Sequence, residues 1–145
     1  MPAWVTQGYD EYARRLPPQC ALHLVEIAPG QRGKGQDPQR AMEQEALKIL
    51  KAIPASASVV ALDVGGRHFD TPGLARRLQA WMEDGRDLAL LVGGPDGLSD
   101  RCRQRAEVSW SLSKLTLPHP LVRVVVAEQL YRAWTVLQGH PYHRE

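Results

Sequence analysis

The final residues, Gly139-His140-Pro141-Tyr142-His143-Arg144-Glu145, gather two imidazoles, a phenol, a guanidinium and a carboxylate. Such a set can hold a phosphate, stack on a base and move a proton near neutral pH. A chain end is more often frayed than functional, and on chemistry alone the two readings stand even. A second segment, Gly93-Gly94-Pro95-Asp96-Gly97-Leu98-Ser99, lets backbone pass close to a ligand and then feeds a helix start, where free N–H groups suit a polar or anionic group. It matches neither Gly-x-Gly-x-x-Gly nor the phosphate loop ending in Gly-Lys-Ser/Thr, so neither NAD nor ATP is favoured. Alone, it reads equally well as a plain glycine turn. The third segment, Leu112-Ser113-Lys114-Leu115-Thr116-Leu117-Pro118-His119-Pro120, is half apolar and half polar, and two prolines stiffen it. An extended loop of this kind exposes backbone donors and acceptors that suit an adenine edge. His119 faces either a ligand or a helix cap, the cap being the commoner role. Cys20 and Cys102 lack metal-type spacing and read as free thiols in a reducing cytosol.

The elements that must position these groups follow from spacing and punctuation. Trp4, Tyr9, Tyr12, Ala13 and Leu16 recur at helical spacing, so residues 2–16 form a helix stopped by Pro17-Pro18. Ala21 to Ile27 alternates about its centre and ends at Pro29-Gly30, which predicts a strand. Pro29 to Gln36 holds three glycines with Arg32 and Lys34 and reads as a mobile basic loop. Asp37-Pro38 opens a helix that runs to Pro54. Val59 to Val64 is a continuous apolar run closed by Gly65-Gly66, as expected of a strand buried on both faces. Thr71-Pro72 starts a helix that stops at Gly85. A buried strand over Asp87 to Val92 leads into the glycine segment, followed by a helix through Cys102 and Ala106 and a strand from Val108 to Leu112. The last helix begins near Pro118 and ends at Gly139. Its apolar residues cover more than one face, which suits either its own core or a partner subunit. Alternation of helices with buried strands gives an open, mostly parallel α/β sheet with helices on both faces, in one domain.

The chain has 145 residues and a net charge of +2, from 18 Lys+Arg against 16 Asp+Glu. That balance excludes bulk electrostatic attraction as the route to a nucleic acid, so an RNA partner requires basic residues gathered locally. Arg14-Arg15, Arg32-Gly33-Lys34, Arg76-Arg77 and Arg101 to Arg105 are such clusters, each of which is also ordinary as a solvated helix end or loop. There is no apolar run long enough to span a membrane, and the first nine residues lack the layout of a secretory signal. A cytoplasmic protein is expected.

Taken together, the glycine segment from Leu91 to Ser99, Leu115-Thr116-Leu117-Pro118-His119, Ala127 to Ala133 and His140 to Glu145 resemble a known family. It is that of the small bacterial SPOUT-class methyltransferases that modify N3 of a pseudouridine in large-subunit (23S) ribosomal RNA. The similarity spans essentially the whole chain and takes in Arg32-Gly33-Lys34 and Asp70-Thr71-Pro72. It implies a deep C-terminal trefoil knot, which periodicity cannot reveal. It also implies a homodimer, S-adenosyl-L-methionine as cofactor, no metal, and the ribosome as partner. Carried to matching positions, the cofactor contacts are Leu62, Gly93, Leu112, Ser113, Lys114, Leu115, Thr116 and Leu117. Tyr142, His143 and Arg144 then lie near the target base, and a subunit interface becomes the expected use of the last helix. The family opens with a short apolar strand before its Met-Pro-x-Trp segment. This chain begins Met1-Pro2-Ala3-Trp4, so the sheet is expected to lack that strand, leaving an edge unfilled.

The implied reaction is in-line transfer of a methyl from a sulfonium to a ring nitrogen, with the protein supplying alignment and removal of the N3 proton. His143 or His119 is the candidate base, and Arg144 a holder of phosphate or stabiliser of the anion. Two other classes remain: a non-catalytic RNA- or ribosome-binding α/β module, and a nucleotide-binding α/β enzyme of other chemistry.

Overall fold

A computed structural model describes residues 1–144. In chain order its elements are α1 (Ala3–Ala13), α2 (Pro38–Ala52), β1 (Ser58–Arg67), α3 (Thr71–Asp84), β2 (Leu88–Leu91), α4 (Asp100–Arg105), β3 (Val108–Trp110) and α5 (His119–Gln138). Short 3₁₀ turns cover Pro18–Cys20 and Pro141–Arg144. The helix starts are set by side-chain caps. Asp37 accepts from the Gln39 N–H at 3.0 Å, Asp70 from the Gly73 N–H at 2.7 Å, and Ser99 from the Cys102 N–H at 3.3 Å. Gly85, in the left-handed region, ends α3, and Gly139 stands in the same region directly after α5.

The chain divides into two units. One comprises Val25–His68 and Arg86–His119 and contains the whole sheet. Its strand order is β2-β1-β3, all parallel, with Ser58 opposite Leu88, Ala61 opposite Leu91, and Val60 opposite Val108. Successive residues of a strand face opposite sides, and one side of this sheet carries Val59, Ala61, Ala89 and Leu91. Ala46, Ile49 and Leu50 of α2 and Ile53 just after it pack there with Leu98 and Cys102, forming one apolar cluster. Val59, Ala61 and Cys102 are fully buried in it. Ser58 Oγ donates to Glu107 Oε2 at 2.6 Å, tying the start of β1 to the residue before β3.

The other unit comprises Met1–Leu24, Phe69–Gly85 and the chain from Pro120 onward. Its buried apolar residues include Val5, Tyr9 and Leu16, then Leu74, Ala75 and Leu78 of α3, and Val126, Ala127, Leu130, Tyr131 and Ala133 of α5, beside the fully buried Thr135. α1 lies against α5: a side chain at Gly8 would meet the Val124 methyls at 3.3 Å, and the Tyr12 and Tyr131 rings stand 6.5 Å apart. Arg15 lies over both of those rings, 5.4 Å from each centroid.

Three expectations are corrected. Ala21 to Ile27 is not a strand; it is irregular chain, with Leu24 and Val25 exposed. A strand exists by its ladder, and among the described residues no neighbouring strand pairs with this segment, so its alternation has nothing to act on. Gly65-Gly66 does not close β1. The strand runs on to Arg67, with a register shift that sets both Leu62 and Arg67 opposite Trp110. The Ser111 N–H donates to the Arg67 carbonyl at 2.8 Å, which holds the extension in place. Finally, β3 is three residues long, ending at Trp110.

Candidate active site

Because the three strands are parallel, their carboxyl ends open on one edge of the sheet, the edge at which open α/β folds bind ligands. Leu62 lies in β1 opposite Trp110, Gly93 follows β2, and the Leu112–Leu117 loop follows β3. All eight residues named above as cofactor contacts thus lie in β1 or in the segments that follow β2 and β3.

The glycine loop is folded tightly on itself. Gly94 and Gly97 bridge, the Gly97 N–H donating to the Gly94 carbonyl at 3.0 Å. A Cβ on Gly93 would stand 2.4 Å from the Gly97 carbonyl carbon, so only glycine fits there. The loop after β3 is braced by Ser111 Oγ donating to the Ser113 carbonyl at 3.0 Å, and by the Leu115 N–H donating to Ser113 Oγ at 2.9 Å. This leaves the Leu115 side chain 75% exposed, and Val64 on the β1 extension 53% exposed. Two apolar side chains held in water at a strand-end edge suit an apolar or aromatic ligand face.

Behind the glycine loop lies a small cleft lined by Met42, Glu45, Ile49, Gly93, Gly94 and Cys102. Glu45 is buried, and it accepts from the Gly30 N–H at 2.9 Å and from both terminal nitrogens of Arg32. The Arg32 guanidinium holds the Glu45 carboxyl below the usual carboxylate range, with Gly30 and His119 adding smaller effects. His119, half-buried at the start of α5, belongs to this unit. Burial raises the Cys102 thiol, which stays protonated at neutral pH.

The C-terminal group lies in the other unit. Tyr142 Oη donates to Glu128 Oε2 at 2.8 Å, and Arg132 donates to the same oxygen at 2.7 Å. The Tyr142 ring stands 4.7 Å from Tyr131, and the Arg132 guanidinium lies 5.0 Å over it. Burial and the Glu128 carboxylate push the Tyr142 phenol well above the ordinary tyrosine range, so it remains a hydrogen-bond donor. His143 Nδ1 stands 3.5 Å from Thr135 Oγ1, whose own proton goes to the Arg132 carbonyl at 2.6 Å. Arg144 is exposed.

Several contributors were missed by sequence reasoning. Glu128, Arg132 and Thr135 lie in an apolar helix whose faces cannot be separated by pattern. Glu45 left a usable signal: it falls on the face of α2 that buries Ala41 and Ala46, and a carboxylate on an apolar face demands a partner. Among the described residues no group of three or more His, Cys, Asp and Glu is placed to hold a metal.

A family model described as predicted SPOUT methyltransferase matches residues 1–143. This chain belongs to the SPOUT methyltransferase family. Among its relatives is the ribosomal RNA large subunit methyltransferase H of Methylococcus capsulatus, 62% identical over 144 residues, which are 99% of this chain and 93% of the relative. The protein of the same name from Thioalkalivibrio sulfidiphilus is 61% identical over 145 residues, all of this chain and 93% of its own length. That of Hahella chejuensis is 57% identical over the same extent.

Proposed function

We propose that this chain is a methyltransferase that modifies N3 of a pseudouridine in large-subunit ribosomal RNA, using S-adenosyl-L-methionine, on the assembled ribosome in the cytoplasm. The observation that carries the reading is the convergence of Leu62, Gly93 and Leu112–Leu117 on one strand-end edge, in a chain of this family. The relatives' names supply the RNA. The residues fit the cofactor. The glycine turn admits close backbone approach, the loop after β3 offers backbone donors and acceptors, and Leu115 and Val64 offer apolar contact. When bound, the cofactor supplies a methyl on a sulfonium that needs no further activation.

The chain's own residues then align the acceptor and take its proton. Thr135 has spent its hydroxyl proton on the Arg132 carbonyl, so it faces His143 Nδ1 with a lone pair. This favours the tautomer protonated at Nδ1, leaving Nε2 to accept a proton. His119 is the alternative base. Arg144 holds a phosphate or favours the anion formed at N3. Tyr142, through Glu128 and Tyr131, fixes the turn that carries His143 and Arg144.

The same proposal includes a single domain with a trefoil knot and a homodimer. One family model spans both units, which supports the first. Half-exposed Leu121, Val122, Val124 and Val125 early in α5 support the second.

The test is calorimetric titration with S-adenosylhomocysteine, with the mass recorded by light scattering, followed by methylation of ribosomes lacking the modification. One site per subunit of a dimer is expected. Alanine at His143 or at His119 is expected to slow single-turnover methylation by about a hundredfold or more. If neither change slows it, neither of these histidines is the base. Retention on ribosomes without any binding of S-adenosylhomocysteine would favour the non-catalytic module instead.

A further inference from the structure

The Arg32-Gly33-Lys34 segment reads by composition as a basic patch for RNA, but its arginine is turned inward. Arg32 Nε donates to Asp96 Oδ2 at 2.8 Å, inside the glycine loop. Nη1 donates to Glu45 Oε2 at 2.5 Å and lies 3.5 Å from the Gly30 carbonyl, while Nη2 donates to Glu45 Oε1 at 3.1 Å. Four of the five guanidinium N–H groups are thereby directed at partners within the chain. A guanidinium engaged in this way has no fork left for a phosphate. Lys34, two residues on, is exposed. The two cations of one short motif therefore do different work.

We propose that Arg32 is a positioning residue that latches the glycine loop and the Pro29–Gln36 loop onto α2, and so sets the affinity of the strand-end site for S-adenosylmethionine. The inference rests on the cofactor reading above. Glu45 is the fixed point: its side chain is 9% exposed, and it receives Arg32 and the Gly30 N–H together. It also abuts the glycine loop, since a Cβ on Gly94 would meet Glu45 Oε1 at 3.3 Å. A buried carboxylate without its cation is strongly unfavourable, so the latch holds shut in the absence of any ligand. Arg32 joins α2 to a loop 64 residues further along the chain. With it, the loop beside Gly93 is already in its binding shape and binding does not bear the cost of ordering it.

The test compares the unaltered protein with R32Q, D96N and K34Q. Hydrogen exchange of the unliganded proteins is read over residues 93–98, together with the Kd for S-adenosylhomocysteine and the KM and kcat of ribosome methylation. In R32Q, exchange over 93–98 is expected to quicken by about tenfold or more, and Kd to rise about tenfold, as for loss of a charged hydrogen bond. KM for the methyl donor should rise with it while kcat stays within about twofold. D96N should show the same pattern more weakly, and K34Q should move neither exchange nor cofactor Kd. Unchanged exchange and Kd in both R32Q and D96N overturns the proposal. So does an unchanged Kd with weakened ribosome binding, which would make Arg32 an RNA contact. If R32Q does not fold, D96N decides alone, because it removes the negative charge of the half-exposed acceptor and leaves Glu45 paired. Failure of the unaltered protein to bind S-adenosylhomocysteine overturns the cofactor reading instead. The ligand-free exchange comparison still decides whether the latch exists.

Discussion

At Gly93 the room for a side chain is closed by the backbone of Gly97 and Leu98, the nearest atom being the Gly97 carbonyl carbon, 2.4 Å from where a Cβ would sit. That neighbour is backbone and cannot swing aside, so Gly93→Ala must push the loop open. A loss of about 1–3 kcal/mol in stability is expected, as for overpacking. At least a tenfold loss in affinity for S-adenosylhomocysteine should accompany it, because the displaced backbone is the proposed binding surface. Gly97→Ala is the matched comparison. Its φ is +82°, but nothing lies within 4 Å of the added methyl, so backbone strain alone should cost about 1 kcal/mol. Thermal unfolding of both variants with and without ligand separates crowding from strain. The residue scale is also where sequence reading is most uneven. Gly93 and the Leu112–Leu117 loop announce themselves because glycine and proline act on their own backbone. Which partners Arg32 and Glu45 take is invisible locally, since the two lie 13 residues apart and Arg32 also reaches Asp96 much further on.

Among the elements, helix boundaries were legible and one strand was not. Asp37-Pro38 and Asp70-Thr71-Pro72 set helix starts through contacts within three residues, so their local signals suffice. Removing the Asp70 cap should cost about 1 kcal/mol of stability, seen as a fall of about 2–4 °C in Tm. S-adenosylhomocysteine binding should be unchanged, because the residues proposed to hold the cofactor lie in other elements. The strand expected at Ala21 to Ile27 needed a neighbour that no local pattern supplies. The loops tied to α2 bring a pH dependence of their own. The Glu45 carboxyl titrates lower in the folded protein than in the unfolded chain, so between the two values the unfolded chain binds more protons. Its stabilisation is therefore complete above the ordinary carboxylate range, near pH 4.5, and is lost as pH falls through the folded value. Urea unfolding followed from pH 6 downward should show a steeper loss of stability below about pH 4.5 in the unaltered protein than in Glu45→Gln. Equal slopes would mean that the carboxylate is not held by Arg32.

Over the whole molecule, net charge and site geometry point the same way about substrate. A charge of +2 gives little long-range pull on RNA, so recognition must rest on a shaped surface. The expected outcome is methylation of intact ribosomes at least about a hundredfold faster than of a free RNA fragment carrying the same nucleotide. A single-turnover comparison measures this, and equal rates would place recognition in local RNA sequence alone. The α/β class and parallel strands were legible from the continuous apolar runs at Val59 to Val64 and Asp87 to Val92. The strand order was not, since periodicity is silent about which edges meet.

That order, with β1 between two strands that both come later, also constrains how the molecule is made. As the polypeptide is synthesised, Val59, Val60 and Ala61 emerge with neither neighbour in existence, and the second edge stays unpaired until Val108–Trp110 has been translated. Pairings so distant along the chain form slowly, and an apolar strand with open edges is prone to join the wrong partner meanwhile. The nascent chain is most exposed to misassembly in that interval. Synonymous codon changes that slow translation between β1 and β3 should therefore lower soluble yield, whereas the same pauses placed after Trp110 should not.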